Sequence, residues 1–261
     1  MFKGNFNPAI VNNHLTKDSG MERINALIFG LENSTLIPYV LYILKTNHDS
    51  QQRKELFEYL ESYIMRRIIV KAVNKNYNQL FSALIQKDVK TKSDFINYIN
   101  KQNDKNNYMP DDTELLDAFN DKVINNKSAA GILYLIESKI RKEDLHSTKL
   151  LGISKYSLEH LMPKKWINNW GKLQDQNAIK ERDRKLLTLG NLAIITQNLN
   201  AKIRDSDWDK KKKGTKNDGL CDYTRELETM NQYLNLASWN ESTIEKRAKD
   251  LYNHAIQIWK I

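Results

Sequence analysis

The chain has 261 residues, 40% of them apolar and 28% charged, with 9 glycines, 4 prolines and a net charge of +9. Length and apolar share support a real core in one large domain or two modest ones, and the scarcity of glycine and proline favours a helix-rich protein. No apolar run approaches the roughly 20 residues that span a bilayer, so no membrane association is expected. The opening segment MFKGNFNPAIVNN lacks the apolar stretch of a signal peptide. The lone Cys221 excludes an intrachain disulfide and a multi-cysteine zinc cage, so a reducing, cytoplasmic setting is expected. Residues 1–145 carry 20 Lys and Arg against 18 Asp and Glu, and residues 146–261 carry 21 against 14. A basic excess gathered in one half suggests a polyanion-binding surface there, with solubility alone as the other reading.

In chain order, TLIPYVLYILK (35–45) reads as a short buried helix with Pro38 in its first turn. HDSQQRKELFEYLESYIMRRIIVKAV follows, opened by a capping Asp49 and carrying Leu56, Tyr59, Leu60, Tyr63 and Ile64 at helical spacing. SDFINYIN (93–100), DTELLDAFNDKVIN (112–125) and AAGILYLIESKIRK (129–142) repeat the pattern, and KQNDKNNYMPDD (101–112) reads as a loop. The second half changes character. KYSLEHLMP is too short before its proline for a stable helix and reads as a strand running into a turn. A polar helical stretch is expected from after Asn168 to about Leu187, then TLGNLAIIT (188–196) as a short buried strand behind a glycine turn. LNAKIRDSDWDKKKKGTKNDG is a polar helix-and-loop region, and STIEKRAKDLYNHAIQIWK is a terminal helix with Ile244, Leu251, Ala255, Ile258 and Trp259 along one face. The expected fold is mainly α with a small β element, divided near residue 145 into a helical domain (1–145) and a second domain (146–261).

Three polar groups in the second half stand in order: Glu159-His160 before Pro163, Gly190-Asn191 before an apolar strand, and Asn200 before a lysine cluster. Hydrolysis of a phosphodiester needs a base for water and a cation for the phosphate charge. A neutral His160 suits the first task, with an ordinary pKa near 6.5. Glu159 and the amide oxygen of Asn200 are hard oxygen donors of the kind Mg²⁺ or Mn²⁺ takes. Neighbours on a strand face opposite ways, so a local distortion is needed to bring Glu159 and His160 together. Lys164, Lys165, Lys202, Lys210 and Lys211 are the candidate nucleic-acid contacts. Each signal has a plain alternative: an accidental Glu-His pair, a Gly-Asn turn, an N-cap at Asn200, a solvated lysine face. Surface or packing roles are expected for His14, His48, His146 and His254, packing for Tyr156 and Trp166, and a structural or solvated role for Arg66-Arg67.

EHLMPKKW, LGNLAII and LNAKIRDSDWDKKK, in this order, resemble the His-Me finger (HNH, ββα-metal) nuclease superfamily. Within it they most resemble the C-terminal domain of GmrSD-type, modification-dependent restriction enzymes. Trp208 with Lys211, Trp239, Arg247 and the run from Leu251 to Trp259 match that domain's closing pattern. LESYIMRRIIV and NKNYNQLFSALIQ resemble its upstream helices, so the likeness spans residues 50–261 and is strongest over 155–215. The resemblance implies a metal-dependent DNA endonuclease of antiphage defence that leaves 5′-phosphate and 3′-hydroxyl ends. It implies His160 as general base, Asn191 as the residue bracing the loop and orienting it, Glu159 and Asn200 as ligands of one Mg²⁺ or Mn²⁺ per site, and Lys211 as a phosphate contact. Partners implied are double-stranded DNA and a nucleotide-hydrolysing, modification-sensing domain or subunit. That sensor carries Asp-Gly-Gln-Gln-Arg, but DSQQR here (49–53) has serine for glycine and opens a helix, so the sensor is expected outside this chain. A non-cleaving nucleic-acid-binding or assembly subunit, or an RNA-directed nuclease of the same fold, are the alternatives.

Overall fold

The computed structural model describes residues 2–16, 20–102, 106–146, 148–216 and 218–261. The chain is mainly helical with one small sheet among the described residues. Helices α1 (Phe2–Asn5) and α2 (Gly20–Asn25) precede a π-helical turn, Ala26–Gly30. Helix α3 (Ile37–Thr46) carries Pro38 in its first turn, as expected. Helix α4 (Ser50–Ile69) starts where Asp49 accepts hydrogen bonds from the backbone N–H groups of Gln51 and Gln52, so DSQQR is a helix N-terminus. Its stripe of Leu56, Tyr59, Leu60, Tyr63 and Ile64 is buried. Helices α5 (Tyr77–Gln86), α6 (Lys92–Gln102), α7 (Asp112–Asp121) and α8 (Asn126–Ile140) follow, α7 opened by an Asp111–Glu114 capping box. Of the loop expected at 101–112, Lys101 and Gln102 belong to α6 and residues 103–105 lie outside the described residues.

Arg66 and Arg67 are buried and serve as clamps for this irregular segment. Arg66 donates to the carbonyls of Trp259 (2.6 Å) and Pro110 (2.9 Å) and to Asp112 (2.6 Å). Arg67 donates to the Tyr108 carbonyl at 2.9 Å and the Tyr77 hydroxyl at 3.1 Å. Guanidinium forks suit this work because one side chain satisfies several carbonyls that helix geometry leaves open.

Strand β1 (Tyr156–His160) pairs antiparallel with β2 (Leu192–Thr196), His160 opposite Leu192. Between them lies α9 (Gln176–Lys185), so the helix expected from after Asn168 to Leu187 is correct only in its middle. Residues 169–175 are irregular, and Trp166–Asn168 form a single 3₁₀ turn. Helix α10 (Gln197–Ile203) leaves β2 without a loop, its N-cap Thr196 accepting from Leu199 N, and packs on both strands. Helices α11 (Trp208–Lys213) and α12 (Leu220–Tyr223) follow, and α13 (Glu241–Ile258) closes the chain. It buries Ile244, Leu251 and Ala255 against α7, α8 and the turn before β2, while Ile258 is half-buried and Trp259 lies just past its end.

Helix α8 packs on both β strands, and Trp259 donates from its indole to Glu61 of α4 at 2.8 Å. Apolar packing thus runs unbroken across residue 145. No helix among the described residues is long and apolar enough to cross a membrane.

Candidate active site at the end of the first strand

The site is built outward from Asn191, which is wholly buried in the 3₁₀ turn Leu189–Asn191. Its side-chain oxygen accepts from Met162 N (2.8 Å) and the Trp239 indole (2.9 Å). Its side-chain nitrogen donates to the carbonyls of Met162 (2.9 Å) and Leu186 (3.0 Å), so every hydrogen-bonding capacity of the amide is used. The Asn191 carbonyl also accepts from Leu161 N at 2.9 Å. One residue therefore fixes the chain immediately after His160. Helix α13 supports the same turn from behind. Arg247, fully buried, donates to the carbonyls of Gly190 (2.9 Å), Leu192 (2.7 Å) and Thr229 (3.1 Å). Gly190 is required by close approach, because a Cβ there would stand 2.1 Å from the Ile244 carbonyl oxygen.

Glu159 and His160 end β1 in unbroken register, opposite Ala193 and Leu192, so the distortion expected to bring the two side chains together is not found within the strand. The Glu159 side chain is buried, and the Lys211 ammonium, with no exposed surface, donates to its Oε1 and to the His160 carbonyl at 2.7 Å. Burial pushes the Glu159 carboxyl up and the Lys211 ammonium down, each opposed by the other's charge. The His160 ring is half-buried and hydrogen-bonds to no protein group among the described residues. Burial first, then the positive charges of Lys164 and Lys211, lower its pKa to about 4. At neutral pH the imidazole is uncharged and able to accept a proton.

Asn200, on α10, donates from its side-chain nitrogen to the Leu158 carbonyl and the Ser157 hydroxyl, both at 3.1 Å. That fixes the amide orientation, since a carbonyl can only accept, and leaves the oxygen of Asn200 without a protein partner among the described residues. Among the described residues, no three His, Cys, Asp or Glu side chains gather as a metal site. The donors that remain are one carboxylate and one amide oxygen. Both are hard oxygens, the donor type that suits a cation such as Mg²⁺ that keeps several waters and takes phosphate oxygens.

The candidate lysines divide by placement. Lys164, Lys165 and Lys210 are exposed, the first two on the turn just after His160. Lys202 is exposed too, but tied to Asp218 at 3.1 Å and set 5.4 Å from the Tyr223 ring centre. Lys211, expected at a phosphate, is instead enclosed against Glu159 and the His160 carbonyl, where it has no surface to offer nucleic acid. Asp205, absent from the sequence reading, acts electrostatically on both Glu159 and Lys211, pushing both pKa values upward. Its backbone carbonyl accepts from Asn169, stitching the turn after β1 to the α10–α11 corner. The residues expected to pack do so: Trp166 is buried, its indole donating to Asp183 at 2.8 Å under the Arg182 guanidinium. His146 pairs with Glu228 at 3.0 Å, away from these residues in sequence and bonding.

An antiparallel strand pair followed directly by a helix thus carries an acid–histidine pair at the first strand's end. Residues 109–253 match the GmrSD restriction endonucleases, C-terminal domain, and the chain belongs to that family. The match takes in α7 and α8 as well as the whole site. The helices over 50–102, which the resemblance had included, lie outside it. No curated protein matches the chain.

Proposed function

We propose that the chain is the nuclease part of a modification-dependent restriction system, and that it hydrolyses DNA at the His-Me finger site ending β1. The observation that supports this reading is the strand pair followed directly by a helix, with Glu159 and His160 ending β1, Asn191 holding the turn just after them and Asn200 bonded to β1 at Leu158. His160, uncharged at neutral pH, takes the proton from the attacking water. Asn191 holds the Leu161–Met162 turn so that the ring keeps its place. Glu159 and Asn200 are the residues that would hold a divalent cation, whose chemistry there is stabilisation of the charge developing on phosphate. Lys164, Lys165, Lys202 and Lys210 line the approach of the phosphate backbone. Recognition of the modified base is assigned to a partner domain or subunit that hydrolyses nucleotide.

The test offers duplex DNA and an RNA of the same sequence to the purified protein in Mg²⁺, Mn²⁺ or EDTA, with and without its partner. Cleavage of DNA in either metal and none in EDTA is expected. Cleavage of RNA alone moves the substrate to the other polymer, cleavage in EDTA removes the metal from the account, and no cleavage under any condition leaves a binding subunit.

A further inference from the structure

Lys211 has a position that neither solvation nor phosphate binding explains. Four consecutive lysines occupy α11, yet Lys210 and Lys213 are exposed while the Lys211 side chain has no exposed surface. Its ammonium reaches the carboxylate of Glu159 and, at 2.7 Å, the carbonyl of His160, so it is held by backbone as well as by charge. We propose that Lys211 is an internal competitor for Glu159, a positioning residue that keeps the metal site weak until nucleic acid supplies phosphate charge. The inference rests on the reading of Glu159 as a metal ligand.

Two opposing effects follow from a buried ammonium beside such a ligand. An orienting hydrogen bond to a metal ligand typically improves metal affinity by about 10–100-fold. Like-charge repulsion between an enclosed ammonium and a divalent cation on the same carboxylate works the other way, and is strong where water is excluded. Repulsion is the larger effect here, because the ammonium is fully enclosed and the cation carries two charges. Phosphate oxygens brought by the substrate offset that repulsion. Metal binding and nucleic-acid binding thereby become coupled, which protects against cutting in the absence of a correctly seated strand.

The experiment titrates Mn²⁺, followed by the electron paramagnetic resonance signal of the free ion, into wild type, Lys211→Gln, Lys211→Arg and Glu159→Gln. The salt dependence of duplex binding is measured for the same proteins without metal. Lys211→Gln is expected to bind Mn²⁺ at least about tenfold more tightly than wild type, Lys211→Arg to stay near wild type, and the salt slope to stay unchanged. Equal or weaker Mn²⁺ binding by Lys211→Gln overturns the proposal. So does a fall of about 0.9 in the slope, which would make Lys211 a phosphate contact after all. If Lys211→Gln does not fold alone, it is refolded with Mn²⁺: recovery supports replacement of the ammonium by the cation, and no recovery overturns it. Wild type and Glu159→Gln binding Mn²⁺ alike would instead overturn Glu159 as a ligand, and the inference with it.

Discussion

Asn191 shows how much one side chain can determine. Two donors and two carbonyls converge on its amide, from the turn after β1, the end of α9 and the segment before α13. Asn191→Ala leaves four buried partners unsatisfied, each at a cost of about 1–3 kcal/mol before relaxation or entry of water. Urea unfolding should report a loss of at least about 3 kcal/mol; a change below about 1 kcal/mol would mean that the turn is held by other means. Asn191→Asp should fare no better at neutral pH. Its carboxylate keeps the acceptor for Met162 N and the Trp239 indole, but turns an oxygen toward the carbonyls of Met162 and Leu186. These bonds were not legible in LGNL, where Gly-Asn is an ordinary turn signal. Residue order placed Asn191 among the candidate polar groups and the family pattern gave it a bracing role, but only packing shows what it holds.

At the scale of elements, the contact between α13 and the turn before β2 sets the site's geometry. Gly190→Ala would drive a methyl group into the Ile244 carbonyl, so α13 must shift or the turn must open. Overpacking of this kind costs roughly 1–3 kcal/mol, and more where backbone is the neighbour. Thermal unfolding should therefore show a lowered Tm for Gly190→Ala, and an unchanged Tm would show that the helix gives way freely. Both strands were readable because each sign is local: a short run before Pro163, and four apolar residues behind a glycine. Helix α9 was overextended because residues 169–175 are polar, and polarity does not separate helix from loop. The fate of α11 was not readable at all. Four identical residues carry no period, and which lysines turn inward depends on the neighbours that α11 meets.

Across the whole molecule, buried charges join the early helices to the chain's end. Arg23 donates to both oxygens of Glu61 at 2.7 Å, the Trp259 indole donates to Glu61, and Arg66 takes the Trp259 carbonyl. Burial is the largest influence on the Glu61 carboxyl and pushes it up, but the combined pull of Arg23 and Trp259 brings it below its ordinary value of 4.5. A carboxyl so lowered contributes stability at pH above that ordinary value, and the contribution is lost as pH falls through the lower, folded one. Urea midpoints should decline on acidification below about pH 4.5. Glu61→Gln should be less stable at neutral pH, where Arg23 loses its counter-charge, with a shallower decline in acid; an identical acid limb would remove Glu61 from the explanation. The proposal that joins all three scales is that the end of β1 presents His160 as a base. Its most direct test is the rate at which wild type and His160→Ala nick supercoiled DNA in saturating Mg²⁺ or Mn²⁺, with Tm measured alongside. The account predicts a rate lowered about 10²–10⁴-fold at an unchanged Tm, and equal rates would contradict it.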